Sequence, residues 1–97
     1  MSTQLRIYTI NRGRLHQFAD EWKAHVLPLR IEHGFKIRDA WTIEETNQFV
    51  WLISYNGNES WESKEKAYYS SLEREAMDPN PARLIARPEH HFVKSIM

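Results

Sequence analysis

The chain has 97 residues, which is enough for one domain over residues 1–97 and a modest hydrophobic core. Its 13 Lys and Arg residues balance 13 Asp and Glu residues, and this formal net charge of zero argues against a nucleic-acid binder or a membrane-surface protein. The absence of cysteine excludes disulfides and thiolate metal sites. No segment reaches the ~20 apolar residues of a membrane-spanning helix or resembles a signal peptide, so we expect a cytoplasmic protein.

The segment from Gln4 to Ile10 alternates in the way that is typical of a strand with two different faces. One face carries Leu5, Ile7 and Thr9, and the other carries Arg6, Tyr8 and Ile10. Because the first set is compact and mostly aliphatic, we expect it to pack against helices. Arg6 and Tyr8 would then point away from the helices.

The next segment predicts an amphipathic helix. Its apolar residues recur at steps of three and four: Leu15, Phe18, Trp22, Val26 and Leu29. Pro28 cannot donate a backbone hydrogen bond, so we expect a kink there, and Gly34 is suited to end the helix in a left-handed conformation. A second strand is predicted from Phe35 to Glu44.

The central strand runs from Gln48 to Tyr55, with the sequence QFVWLISY. Its apolar run is unbroken, which is typical of a strand that is buried on both faces. In so small a chain one layer of helices covers only one face of a sheet, so we expect a second copy of the protein to cover the other. The predicted partner is therefore the chain itself, in a homodimer formed through the helix-free face.

The register of the hairpin between the second and the central strand stays open. If its turn centres on Thr46 and Asn47, Trp41 faces the same way as Leu52. A shift by one residue would place Trp41 beside Trp51 instead, because a slip inverts the two faces of a strand.

A second helical region begins after the break at residues 56–58 and should bury a stripe formed by Trp61, Tyr68 and Leu72. We interpret the charged run from Glu59 to Lys66 as a solvated face. Residues 70–73 match a capping box, which predicts a short helix to about residue 77, and residues 82–86 could form one more helical turn. The last strand is predicted at residues 90–96.

The element order is therefore β-α-β-β-α-β. This split βαβ pattern predicts an α+β, ferredoxin-like domain with an antiparallel four-stranded sheet in the order 4-1-3-2 and helices on one face. The most apolar strand is central in that order.

Several segments resemble the NIPSNAP family: LRIYTINRGRL near the start, HGF after the first helix, AW followed by FVWLISY, the helix with Trp61 and Tyr68-Tyr69, and DPNPA. The resemblance covers roughly Leu5 to Val93. It implies a dimeric α/β barrel in which two ferredoxin-like sheets pack face to face. The wider superfamily includes cofactor-free and haem-degrading monooxygenases and small isomerases, so the resemblance alone does not imply one activity.

The candidate ligand-binding residues are Arg6, Tyr8, Trp51, His90 and His91. A guanidinium beside a phenol could bind an acidic ligand, although an Asp or Glu of either subunit could equally be its partner. Trp51 could stack on a planar ligand or serve as a core residue. One of the two adjacent histidines must face away from the helices, where it could shuttle protons or lie at a wet rim.

The sequence contains no metal-ligand spacing, phosphate loop or nucleophile motif, so we expect no metal and no cofactor. We expect a protein that binds or transforms a small, possibly acidic molecule in a barrel pocket. The alternatives are a non-catalytic interaction or stress-related module and, less favoured, a haem-binding protein or a cofactor-free monooxygenase. Whether the protein is an enzyme is left open.

Overall fold

The fold is a four-stranded antiparallel sheet with its helices on one face, in a computed structural model that describes residues 1–97. The strands are β1 (Ser2–Ile10), β2 (Lys36–Ile43), β3 (Gln48–Tyr55) and β4 (Ile85–Phe92). Their order is β2-β3-β1-β4, which confirms the predicted ferredoxin-like order with QFVWLISY at a central position.

The first helical segment consists of α1 (Leu15–Glu21), a π-turn (Trp22–Val26) and α2 (Leu27–Glu32). This π-turn precedes Pro28, and in it the backbone amide of Leu27 donates to the carbonyl of Trp22, five residues back. The kink predicted at Pro28 stays a prediction. Pro28 lies in the first turn of α2, where its missing N–H costs little. Gly34 ends the segment at a φ of 89°, as predicted.

The second helical region consists of α3 (Trp61–Ser70) and α4 (Leu72–Glu75). Ser60 caps α3 and Ser71 caps α4, each through its side-chain oxygen. Short 3₁₀ turns at Glu44–Thr46 and Pro81–Leu84 complete the elements. No helix is long and apolar enough to cross a membrane.

The predicted orientation of β1 is wrong. Arg6, Tyr8 and Ile10 are buried on the helix-facing side, whereas Leu5 and Ile7 are only partly buried on the helix-free side. The physical reason is the composition of the core, which is built mainly from aromatic rings and holds a carboxylate that can pair with Arg6. Small aliphatic residues were therefore a poor guide to the face that the helices cover.

The helix-free face carries an apolar patch at the centre of the sheet. Val50 and Leu52 of β3 lie opposite Ile7 and Leu5 of β1, and Trp41 of β2 lies opposite Val50 with 45% of its surface exposed. The hairpin pairs Ile43 with Gln48, so its turn centres on Glu45 and Thr46 rather than on Thr46 and Asn47. Trp41 nevertheless shares a face with Leu52, because this register differs by two residues from the one that would pair them. Trp51 points the other way, into the core.

Two further predictions are corrected. The last strand is residues 85–92 rather than 90–96. Its Pro88 lies opposite Tyr8, and an edge strand tolerates this proline because one of its sides makes no ladder bonds.

Leu72 is 80% exposed rather than buried, because α3 ends at Ser70 and α4 starts with a different orientation.

Candidate functional site

The most unusual feature of the core is a buried ion-pair network that joins three elements. Arg6 of β1 and Arg30 of α2 are each 1% exposed, and both bind Glu65 of α3, whose side chain is 17% exposed. Arg6 Nη2 donates to Glu65 Oε2 at 3.0 Å, and Arg30 Nη1 donates to Glu65 Oε1 at 2.6 Å. One carboxylate therefore balances two buried guanidiniums, and one positive charge remains uncompensated within the network.

Neutral oxygens bind several of the other donors of the two guanidiniums. Arg6 Nε donates to Gln4 Oε1 at 2.7 Å, and Arg6 Nη1 lies 3.4 Å from the hydroxyls of both Tyr8 and Tyr69. Arg30 Nη2 donates to the Tyr69 hydroxyl at 3.2 Å. Because both hydroxyls accept from arginine and neither has an acceptor in the chain, their own hydrogens are free for a ligand.

Aromatic rings hold the guanidiniums in place. The Arg30 guanidinium carbon lies 3.8 Å from the centroid of the Tyr68 ring and 4.7 Å from that of Phe35. The Arg6 guanidinium carbon lies 5.3 Å from the centroid of Trp51, its direct neighbour across the β1–β3 ladder. Such contacts attract the cation and restrict the directions in which its N–H groups point.

A small cavity of about 70 Å³, which we call the arginine cavity, lies beside this network between the sheet and the helices. Its walls include Arg6, Tyr8, Trp22, Arg30, Trp51 and Tyr69. Trp22 comes from the π-turn, an irregularity that is frequent at functional sites. A volume of this size holds several water molecules or a ligand of a few heavy atoms.

Three residues of the cavity wall carry buried hydrogen-bond donors without a partner: Trp22 through Nε1, Trp51 through Nε1 and Arg30 through Nε. Buried donors without an acceptor are rare in proteins and costly, and each calls for an explanation. Together with the two free tyrosine hydroxyl hydrogens they give the residues of the cavity wall a surplus of donors. The chemical group that complements such a surplus is rich in acceptors and negatively charged.

Titration behaviour agrees with this charge distribution. Burial alone would raise the pKa of Glu65, but the charges and hydrogen bonds of Arg30 and Arg6 outweigh burial and lower it. Burial is also the largest influence on Tyr8, and it raises the pKa of that phenol despite the nearby Arg6. At neutral pH the network therefore contains ionised Glu65 and protonated Tyr8.

Residues 3–96 match the NIPSNAP family. The chain is a member of the NIPSNAP family. Among curated proteins, none matches this chain.

Solved structures agree on the fold. An uncharacterized NIPSNAP domain protein from Burkholderia xenovorans is similar at 18% identity and a TM-score of 0.82, over 98% of this chain and 94% of that chain. A NIPSNAP family protein of unknown function from Agrobacterium tumefaciens is similar at 13% identity and a TM-score of 0.85, over 98% and 87%. An antibiotic biosynthesis monooxygenase is similar at 9% identity and a TM-score of 0.70, over 100% of both chains. At these identities the likeness shows the fold alone.

Within this NIPSNAP protein, three of the five predicted site residues come together: Arg6, Tyr8 and Trp51 all line the arginine cavity. They do so on the helix-facing side of the sheet rather than on the helix-free side, toward which Arg6 and Tyr8 were predicted to point. The acidic partner that the sequence left open for Arg6 is a glutamate of the same subunit.

The two histidines separate to opposite faces. His90 lies opposite Arg6 on the edge strand, exposed, with its ring centroid 6.1 Å from that of Tyr8. Burial and then the charge of Arg6 lower its pKa, so His90 is a neutral neighbour of the network. His91 is the histidine that faces the helix-free side, where it is exposed and lies 3.5 Å from Glu89. No group of three or more His, Cys, Asp or Glu side chains is arranged to hold a metal ion.

Sequence reasoning missed Arg30, Glu65 and Tyr69. Their spacing from apolar residues on the same helix could have identified the two charged residues as buried. Glu65 lies four residues after the buried Trp61 and three before the buried Tyr68, and Arg30 lies eight after Trp22. A charged residue on the apolar face of a predicted helix indicates a buried ion pair. The interpretation of residues 59–66 as a solvated face is therefore wrong at Glu65.

Proposed function

We propose that this NIPSNAP protein binds a small acidic molecule, such as a short carboxylate, in the arginine cavity. The observation that carries the proposal is the surplus of buried donors in the wall, where Trp22 Nε1, Trp51 Nε1 and Arg30 Nε have no acceptor. A carboxylate offers up to four lone-pair sites and can accept from several of these donors at once.

Charge supports the same ligand class. Burying a charge is unfavourable unless a counter-charge or hydrogen bonds compensate it, and Glu65 compensates only one of the two buried guanidiniums. A bound anion would neutralise the second. Because Arg6 and Arg30 are already fixed by tyrosine and glutamate oxygens, the ligand would meet preorganised donors.

We further propose that the protein is a homodimer that pairs its helix-free sheet faces. In support, Leu5, Ile7, Val50 and Leu52 form a central apolar patch that no element of the chain covers, with Trp41 exposed at its side. Contiguous exposed apolar patches on a protein are typical of interaction sites. The absence of cysteine fits a reducing, cytoplasmic setting for this dimer.

Ligand binding can be tested by titrating the purified protein with acetate and propionate while intrinsic tryptophan fluorescence is recorded. Two of the four tryptophans, Trp22 and Trp51, line the cavity, so binding should give a saturable change. Native mass spectrometry of freshly purified protein would report any retained acid and the number of subunits together.

A matched pair of variants makes this test specific. Tyr69→Phe removes a hydroxyl that faces both arginines and should weaken carboxylate binding roughly tenfold, whereas Tyr55→Phe makes the same chemical change away from the cavity. No saturable response to either acid, or equal binding by both variants and the unmodified protein, would overturn the proposal.

A further inference from the structure

A third arginine, Arg74, lines the arginine cavity. It lies on α4 and is partly buried, and its guanidinium carbon is 5.1 Å from the centroid of the Tyr69 ring. The backbone amide of Arg74 donates to the capping oxygen of Ser71 at 3.2 Å, which fixes its position on the helix. The arginines that form ion pairs are Arg6, Arg30, Arg83 and Arg87. Arg74 has no carboxylate within ion-pair distance.

Arg74 and Arg30 are neighbours across one aromatic ring. The Arg30 guanidinium carbon lies 5.3 Å from the centroid of Tyr69, close to the 5.1 Å of Arg74. Arg30 is at the buried end of this arrangement, with 1% of its surface exposed, and Arg74 is at the more open end. The cavity therefore has one cationic position inside and a second nearer solvent.

The cavity wall carries three guanidiniums and no carboxylate, and the Glu65 carboxylate outside the wall pairs with two of them, Arg6 and Arg30. One bound carboxylate would balance the inner excess and leave Arg74 without a counter-ion. A guanidinium that is held against an aromatic face and directed at a cavity is a typical recognition element for a second planar anionic group.

We propose that the ligand is a short dicarboxylate. Its inner carboxylate accepts from the free donors of Arg30 and the two tryptophans, and its outer carboxylate pairs with Arg74. This inference rests on the proposed function, because it concerns the same cavity. The volume of about 70 Å³ limits the carbon chain between the two acidic groups to a few atoms.

The test compares malonate with acetate by the fluorescence titration, at neutral pH and matched ionic strength, since salt screens exposed charges. The unmodified protein should bind malonate roughly fivefold or more tightly than acetate, the size of effect expected for one partly exposed ion pair. Arg74→Gln should abolish the preference for malonate over acetate. Arg12→Gln removes the same charge from an exposed turn and should retain the preference.

The outcomes separate the two proposals. If neither acid binds, the proposed function fails. If acetate and malonate bind equally to the unmodified protein, or if Arg74→Gln keeps the malonate preference, the dicarboxylate inference fails while carboxylate binding stands. Inorganic phosphate is the third probe, and tighter binding of phosphate than of malonate would also overturn the assignment of a dicarboxylate.

Discussion

Glu65→Gln is the most informative single substitution in this protein. The side chain keeps its shape and one acceptor oxygen, but it loses the charge that balances Arg6 and Arg30. Because the carboxylate bridges both arginines, an amide that presents its oxygen to one must present its NH₂ group to the other. One charge-assisted hydrogen bond would be lost and replaced by two opposed donors.

The expected cost can be worked from this geometry. A hydrogen bond to a charged group contributes about 1.5–3 kcal/mol, and removing one partner of a buried ion pair typically costs about 3–5 kcal/mol. The Glu65 side chain is only 17% exposed, so solvent offers little compensation. We therefore expect Glu65→Gln to lower the free energy of unfolding by about 3 kcal/mol, a large share of the ~5–15 kcal/mol that is typical of a protein domain.

Urea unfolding followed by far-UV circular dichroism would measure this change. With a denaturant slope of about 1.5 kcal/mol per molar urea, a loss of about 3 kcal/mol shifts the midpoint by about 2 M. Both proteins must be compared at one concentration, because dimerisation would make stability depend on concentration.

Glu62→Gln is the matched control, since it removes the same charge from an exposed position of the same helix. It should change stability by no more than about 0.5 kcal/mol. If the loss for Glu65→Gln were below about 1 kcal/mol, or equal to that of the control, the buried network would not stabilise the attachment of α3 and this reasoning would be refuted.

Three further predictions address the dimer, the hairpin and pH. Leu52→Glu should halve the molar mass measured by light scattering if helix-free faces pair, whereas an unchanged dimer mass would exclude that interface. Asn47→Ala should cost about 1–2 kcal/mol in urea unfolding, because Asn47 has a φ of 56° and its side chain donates to the Ile10 carbonyl at 2.6 Å. Stability should fall as the pH drops below about 6.5, because the lowered pKa of His90 favours its neutral form, and again below about 4.5, because the lowered pKa of Glu65 favours its ionised form. In urea midpoints measured against pH, His90→Gln should remove the upper step and Glu65→Gln should reduce the lower one, to which Glu21 also contributes because its hydrogen bond with Arg83 lowers its pKa; unaltered steps would contradict the assignment.

Much of the fold could be predicted because its signals are local. The unbroken apolar run of β3 identified a central strand, and Gly34 identified the end of α2 from the one conformation that glycine adopts readily. These properties depend on residues a few positions apart in the chain. The order of strands then followed from the sequence of elements rather than from any particular side chain.

The orientation of β1 could not be predicted, because it depends on partners far away in the chain. Arg6 and Glu65 are 59 residues apart, and Arg30 is 35 residues from Glu65. Without knowing that α3 supplies a carboxylate to the core, a strand face that carries arginine looks less suited to burial than one that carries leucine. The rule that apolar residues face the core therefore gave the wrong side, although the pairing of Arg6 with Tyr8 on one face was right.

The bonds that attach α3 to the sheet also fix Arg6 and Arg30 in the wall of the proposed ligand site. On the inward-facing side of α3, Trp61 and Tyr68 pack near the two ends of the helix. Between them, the helix is attached by the ion pair of Glu65. A ligand that binds only the folded cavity stabilises the protein by an amount that grows with its concentration, about 2.7 kcal/mol at 100 times the dissociation constant. In Glu65→Gln, Arg6 and Arg30 in the cavity wall lose their shared counter-ion, so saturating malonate should restore more stability to that variant than it adds to the unmodified protein. Equal gains in the two urea midpoints would show that the ligand does not replace the charge of Glu65.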